Sequence, residues 1–166
     1  MIIDMRYVQE VQNNFSKALE ESKGINYQKE SFTVPMWLIL SLQSELGEVL
    51  NASKVHKIWN KSEVDRDHLL EELADLLAHV GNLANFLEIE LVLDIKEVQV
   101  TAVESTFNRL AYRITTLNWN KRHARNTLVN HIVPLLIELL YSFGFDLEEL
   151  KEAYHLKMGE NYLRFI

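Results

Sequence analysis

Two short stretches decide the fold: SELGEV at positions 44–49 and LEELADLLAH at 70–79. Each holds two carboxylates three residues apart, Glu45 with Glu48 and Glu72 with Asp75, a spacing close to one helical turn. Plotted at roughly 100° per residue, Val34, Leu38, Ile39, Leu42, Leu46 and Val49 form one apolar stripe. Glu45 falls inside that stripe and Glu48 at its edge. In the following run Leu69, Leu73, Leu76, Val80, Leu83 and Leu87 form a second stripe. Glu72 repeats the angle of Glu45 and Asp75 that of Glu48, while Glu71 turns outward to solvent. Two consecutive helices thus present the same acidic pair on the same flank of their core faces.

The helical period extends over most of the 166 residues, and two prolines and five glycines leave little punctuation for an all-β chain. It predicts helices at 5–23, 34–56, 65–88, 94–117, 121–143 and 146–164. Polar connections are expected at 23–33 and 58–64. Pro134 is expected to kink the fifth helix or restart it. Gly144, Asp146 and Glu149 read as a helix stop followed by a capping box. The expectation is an all-α antiparallel bundle of five to six helices, forming a single domain over residues 1–166.

Composition narrows the function. With 17 basic and 24 acidic residues the net charge is −7, which argues against a sequence-independent grip on a nucleic acid polymer. The absence of cysteine excludes disulfides, thiolate nucleophiles and thiolate metal sites. The N-terminal stretch MIIDMRYVQEVQ lacks the basic and apolar regions of a signal peptide, and no run reaches the length of a membrane span. A cytoplasmic protein without a membrane partner is expected.

A carboxylate on a core face is costly unless paired or metal-bound, and no basic residue accompanies these four on their stripes. A divalent cation relieves that cost, and four hard oxygen donors suit Mg²⁺, with Mn²⁺ as the alternative. The competing reading is four ordinary solvated helix charges. A di-iron bundle needs Glu-x-x-His on two helices, and only Glu152 with His155 supplies it.

With Glu45, Glu48, Glu72 and Asp75 in this order, the sequence resembles the all-α nucleoside triphosphate pyrophosphatases, the MazG-like superfamily. Within it, the chain is most similar to the dimeric all-α dUTPases. KIW at 57–59, His79 one turn after Asp75, and the tail KEAYHLKMGENYLR carry the narrower likeness, which runs from about Gln9 to Arg164. The wording around His79 and at Gly159-Glu160 departs from that branch.

The resemblance implies a Mg²⁺-dependent hydrolase converting dUTP and water to dUMP and pyrophosphate. Glu45, Glu48, Glu72 and Asp75 would be the metal ligands, with Glu48 also taking the proton of the attacking water. Lys157, Asn161 and Arg164 lie on one flank of the last helix. They fit either triphosphate oxygens or cations snorkelling near a chain end; Lys57 joins the phosphate set through the KIW element. For the base, the resemblance points to amides on the first helix, Gln12 first and Gln9 second. Trp59 is either a stacking surface or a packing anchor, and His79 either a ligand contact or a buried hydrogen-bonded histidine. Trp37 and Phe86 read as core. The apolar run Ile132, Val133, Leu135, Leu136, Ile137, Leu139 and Leu140 suggests a homodimer interface. The alternatives are a pyrophosphatase for dCTP, several or non-canonical nucleotides, and a catalytically silent helical interaction module.

Overall fold

A computed structural model describes residues 1–26, 30–60 and 62–166. Parts of both expected polar connections, residues 27–29 and 61, lie outside the described residues. The chain is helical almost throughout, as its periodicity predicts.

Helix α1 spans Arg6–Lys23 and ends at Gly24, whose φ of 68° lets its N–H reach the Glu20 carbonyl. Helix α2, Met36–Ser53, starts directly after Pro35, which has a fixed φ and no N–H to leave unpaired. Helix α3, Arg66–Leu87, is capped by Asp65, whose side chain accepts from the His68 N–H. It is the central element. Leu73, Leu76, Leu77, Val80, Leu83 and Leu87 are almost wholly buried along it, and α1, α2 and α7 (Leu147–Phe165) all pack against it.

Gly81 explains how closely α1 approaches α3. A Cβ there would overlap Val8 Cγ1 and press on Gln12 Cγ at 3.3 Å. The missing side chain therefore sets the spacing of the two helices. At the far end, Asp146 and Glu149 form the expected capping box at the start of α7.

The expected helix at 94–117 is shorter than its period suggested. Helix α4 spans Val103–Thr115, and Asp94, where the expected helix starts, instead ends a strand of a small sheet. Strand β1, Ile2–Asp4, pairs antiparallel with β2, Val92–Asp94, matching Ile3 with Leu93. The β-branched and apolar residues of ELVLDI favour extended pairing once a partner strand is available, and that partner comes from a distant part of the sequence. Residues 95–102 then run non-helically to α4, held where the Thr101 N–H and hydroxyl donate to Glu138.

Pro134 acts as expected. After α5 (Lys121–Thr127) the backbone widens into a π turn, Leu128–Ile132, and α6 (Val133–Ser142) restarts with the proline in its first turn. The apolar residues of this segment are covered within the chain itself: Ile132, Val133, Leu136, Ile137, Leu139 and Leu140 are at most 1% exposed and Leu135 6%. The surface expected to require a dimer partner is therefore not available for one.

Candidate active site

Helices α2 and α3 pack along their stripes and bring the acidic pairs together. Oxygens of Glu45, Glu72 and Asp75 all lie within 4.8 Å of one another. Their side chains are 23%, 13% and 20% exposed. Glu48 is exposed and outside this triad, near enough for its charge to act on Glu72. Glu71 points outward, half exposed beside His68.

Burial raises the Glu72 carboxyl above its ordinary value, and the neighbouring Asp75, Glu45 and Glu48 charges add to that rise. Burial likewise raises Asp75, against the opposing pull of Lys157. The Lys157 ammonium lies 3.5 Å from Asp75. Burial alone would lower it, but attraction to Asp75 and the hydrogen bond they share leave it raised.

This set fits a divalent cation. Three half-buried carboxylates converge with one lysine and two weakly approaching histidines, His79 and His68, each 3.7 Å from an acid oxygen. Such a cluster is under-neutralised in the direction that a hard dication corrects.

Beside the triad lies a cavity of about 470 Å³, lined by four helices. Glu45 reaches it from α2 and Asp75 from α3. Lys157, Asn161 and Arg164 reach it from α7, and Gln12 from α1. The spacings of four and three residues on α7 place its three polar groups on one flank facing the cavity. His79 also lines it; its Nδ1 is buried and unpaired among the described residues.

Gln12 is 4% exposed and hydrogen-bonded on both sides. Its Nε2 donates to Asn82 Oδ1 at 3.0 Å, and its Oε1 accepts from the Tyr154 hydroxyl at 2.8 Å. Gln9, one turn earlier, does not line this cavity. Its amide donates to the Ile89 carbonyl and Asn85 Oδ1 and accepts from the Leu91 N–H, tying α1 to the chain leading into β2.

Lys57 and Trp59 are not brought to the cavity either. The cavity uses Trp37, Ser41 and Glu45 of α2, whereas Lys57 and Trp59 follow its opposite end, more than two turns beyond Glu45. Trp59 is 75% exposed, its ring edge against His56. Glu152 and His155, the di-iron-like pair, are both exposed on α7.

Trp37, Asn82 and Phe15 line the cavity as well. Trp37, read as core, is 42% exposed and lines the cavity. It lies eight residues before Glu45 with Ser41 between, so the four-residue spacing already placed it on that face. Asn82 likewise follows Asp75 and His79 at helical spacing. Phe15 of α1 also lines the cavity beside Gln12.

A mostly helical fold thus gathers clustered acid oxygens, a cationic flank and the Gln12–Asn82 amide pair around one cavity. The chain belongs to the dUTPase family, whose model matches residues 4–165. That membership implies nucleoside triphosphate diphosphatase activity, and the acidic triad is consistent with the family's general use of a divalent metal. No curated protein and no solved structure matches the chain. Among the described residues, no single helix is long and apolar enough to cross a membrane.

Proposed function

We propose that this chain is a dUTP diphosphatase, hydrolysing dUTP to dUMP and pyrophosphate with Mg²⁺. The observation that carries the reading is a single cavity that joins the acidic cluster to Lys157, Asn161 and Arg164 and to the Gln12–Asn82 amide pair. From Asp75 to Asn82, α3 advances about 10 Å, the kind of separation a nucleotide needs between its phosphates and its base.

Glu45, Glu72 and Asp75 would hold the metal, with Glu48 joining from the rim. When bound, Mg²⁺ supplies charge neutralisation of the phosphate oxygens and acidifies a water molecule. Lys157 and Arg164 offer a point charge and a planar fork to the outer phosphate oxygens, and Asn161 adds a neutral donor. Glu48, exposed beside the triad, accepts the proton from the attacking water. Lys157 exchanges its contact with Asp75 for the substrate's phosphates. Gln12 reads the base, and His79 stands between base and phosphates on α3. Trp59 and Lys57 join this site only by a change in the connection that carries them.

A homodimer in the cytoplasm accompanies the proposal. The family resemblance supports the dimer, and the cysteine-free composition fits a reducing compartment. Light scattering tests the first.

The deciding experiment is a panel of nucleoside triphosphates with Mg²⁺ and pyrophosphate detection. Fastest kcat/KM on dUTP supports the proposal. Preference for dCTP, or equal use of several or non-canonical nucleotides, replaces the substrate and keeps the chemistry. No turnover of any nucleotide points to a silent helical module.

A further inference from the structure

Three polar groups from three helices form a relay at the wall of the cavity. Tyr154 of α7 is fully buried, and its ring is wedged edge-on against Tyr7 at 5.7 Å. Its hydroxyl donates to Gln12 Oε1 at 2.8 Å, with the Val8 carbonyl a second acceptor at 3.3 Å. Gln12 Nε2 then donates to Asn82 Oδ1 at 3.0 Å. Both Gln12 and Asn82 line the cavity.

Each bond in the relay constrains the next. A glutamine amide offers two donors and one acceptor oxygen, and either end fits a given wall unless something fixes it. The phenol proton, directed at Oε1, turns the oxygen of Gln12 inward and its nitrogen toward Asn82. Asn82 must then turn its oxygen toward Gln12. What the pair has left for a ligand is mainly N–H: the second hydrogen on Gln12 Nε2 and both on Asn82 Nδ2. Burial holds the Tyr154 phenol far above its ordinary pKa, with Tyr7 and Tyr162 adding to the rise. It therefore remains a donor across the working pH range.

We propose that Tyr154 is a positioning residue that sets the polarity of the Gln12–Asn82 pair. The cavity wall then favours a base edge carrying carbonyl oxygens over one carrying an exocyclic amino group. This rests on the nucleotide reading above and adds to it the origin of base selectivity. A site whose donors are fixed in advance rejects the wrong edge because its buried N–H groups would be left unpaired.

The test compares kcat/KM for dUTP and dCTP in the wild type, Tyr154→Phe and Asn82→Asp, with the Mg²⁺-induced rise in Tm recorded for each. Phenylalanine keeps the ring and removes only the hydroxyl. The expected result is a fall of about tenfold or more in the dUTP-to-dCTP ratio, the size of one hydrogen bond's worth of discrimination, with the Mg²⁺ response intact. Equal losses on both nucleotides and an unchanged ratio would mean that Tyr154 only supports the fold, and would overturn the proposal.

Asn82→Asp replaces the outward N–H group by an acceptor and should shift preference toward dCTP. It carries the test alone if Tyr154→Phe does not fold, and an unshifted ratio in a folded Asn82→Asp protein overturns the proposal. A wild type that hydrolyses both nucleotides without preference, or prefers dCTP, overturns the selectivity argument and leaves the diphosphatase reading standing. A wild type inactive on every nucleotide removes both.

Discussion

Replacing Gly81 by alanine tests the α1–α3 contact on which the amide pair depends. The new Cβ would overlap Val8 Cγ1 by roughly 1 Å relative to ordinary carbon contact. Val8 is fully buried and β-branched on a helix, so it has almost no alternative rotamer to adopt. Overpacking of this kind costs about 1–3 kcal/mol, and the helix-propensity gain from glycine to alanine returns about 1 kcal/mol.

Gly159→Ala is the control. Gly159 also lies within a helix, but a Cβ there meets nothing within 4 Å, so only the propensity gain remains. The two variants should differ by the overpacking cost alone. At about 2–4 °C per kcal/mol for a chain of this size, their melting temperatures should separate by roughly 2–12 °C, with Gly159→Ala the higher. Thermal melts followed by far-UV circular dichroism provide the measurement. The same Cβ presses on Gln12 Cγ, so a displaced α1 also stretches the Gln12–Asn82 bond, and Gly81→Ala should discriminate less sharply between dUTP and dCTP. If both alanine variants are stabilised equally, the close approach of α1 and α3 is wrong, and the amide geometry built on it fails as well.

Asp75→Asn should abolish the Mg²⁺-induced rise in Tm and lower turnover by more than the ~10–100-fold that losing an outer-shell metal partner costs, whereas Glu71→Gln, half exposed beside His68, should stay within about 0.5 kcal/mol of wild-type stability and keep its activity; equal behaviour of the two would dissolve the site. Lys157→Ala should raise KM for the triphosphate about tenfold, the loss of one charge-assisted hydrogen bond, while kcat changes little; steady-state kinetics at saturating Mg²⁺ would show this. Stability should also respond to pH through the buried acids. Glu72 and Asp75 are raised in the fold, so their contribution to metal-free stability is fully present below the ordinary carboxyl values and is lost as pH rises through the raised ones. Protons and Mg²⁺ compete for the same oxygens. The Tm gain on adding Mg²⁺ should therefore be largest near neutrality and fade as the pH falls through the raised carboxyl values; a gain independent of pH would place the metal elsewhere.

The helical period and the two acidic pairs were legible because each is a local property. Repeats of three and four residues fix which side chains share a face, and that alone put Glu45, Glu72 and Asp75 on core-facing flanks and Lys157, Asn161 and Arg164 in a line. The stop at Gly144, the cap at Asp146 and the break at Pro134 are equally local. The extended pairing of Ile2–Asp4 with Val92–Asp94 was hidden because a strand of three residues has no pattern of its own. It exists only when its partner is alongside. The same reason hid the separate fates of Gln9 and Gln12. Both are amides of α1 one turn apart, yet Gln9 is consumed by the backbone leading into β2, and Gln12 is oriented by a tyrosine 142 residues away in sequence.

Amino-acid order by itself settled most of the helices and which faces carry charge, since both follow from backbone period and side-chain polarity over a few turns. Tertiary structure decided which of those faces meet. It closed three carboxylates to within 4.8 Å, left Glu48 at the rim, buried the apolar run of α6 inside the chain and set the direction of one amide. Each of those outcomes depends on distances between helices, which no local pattern contains.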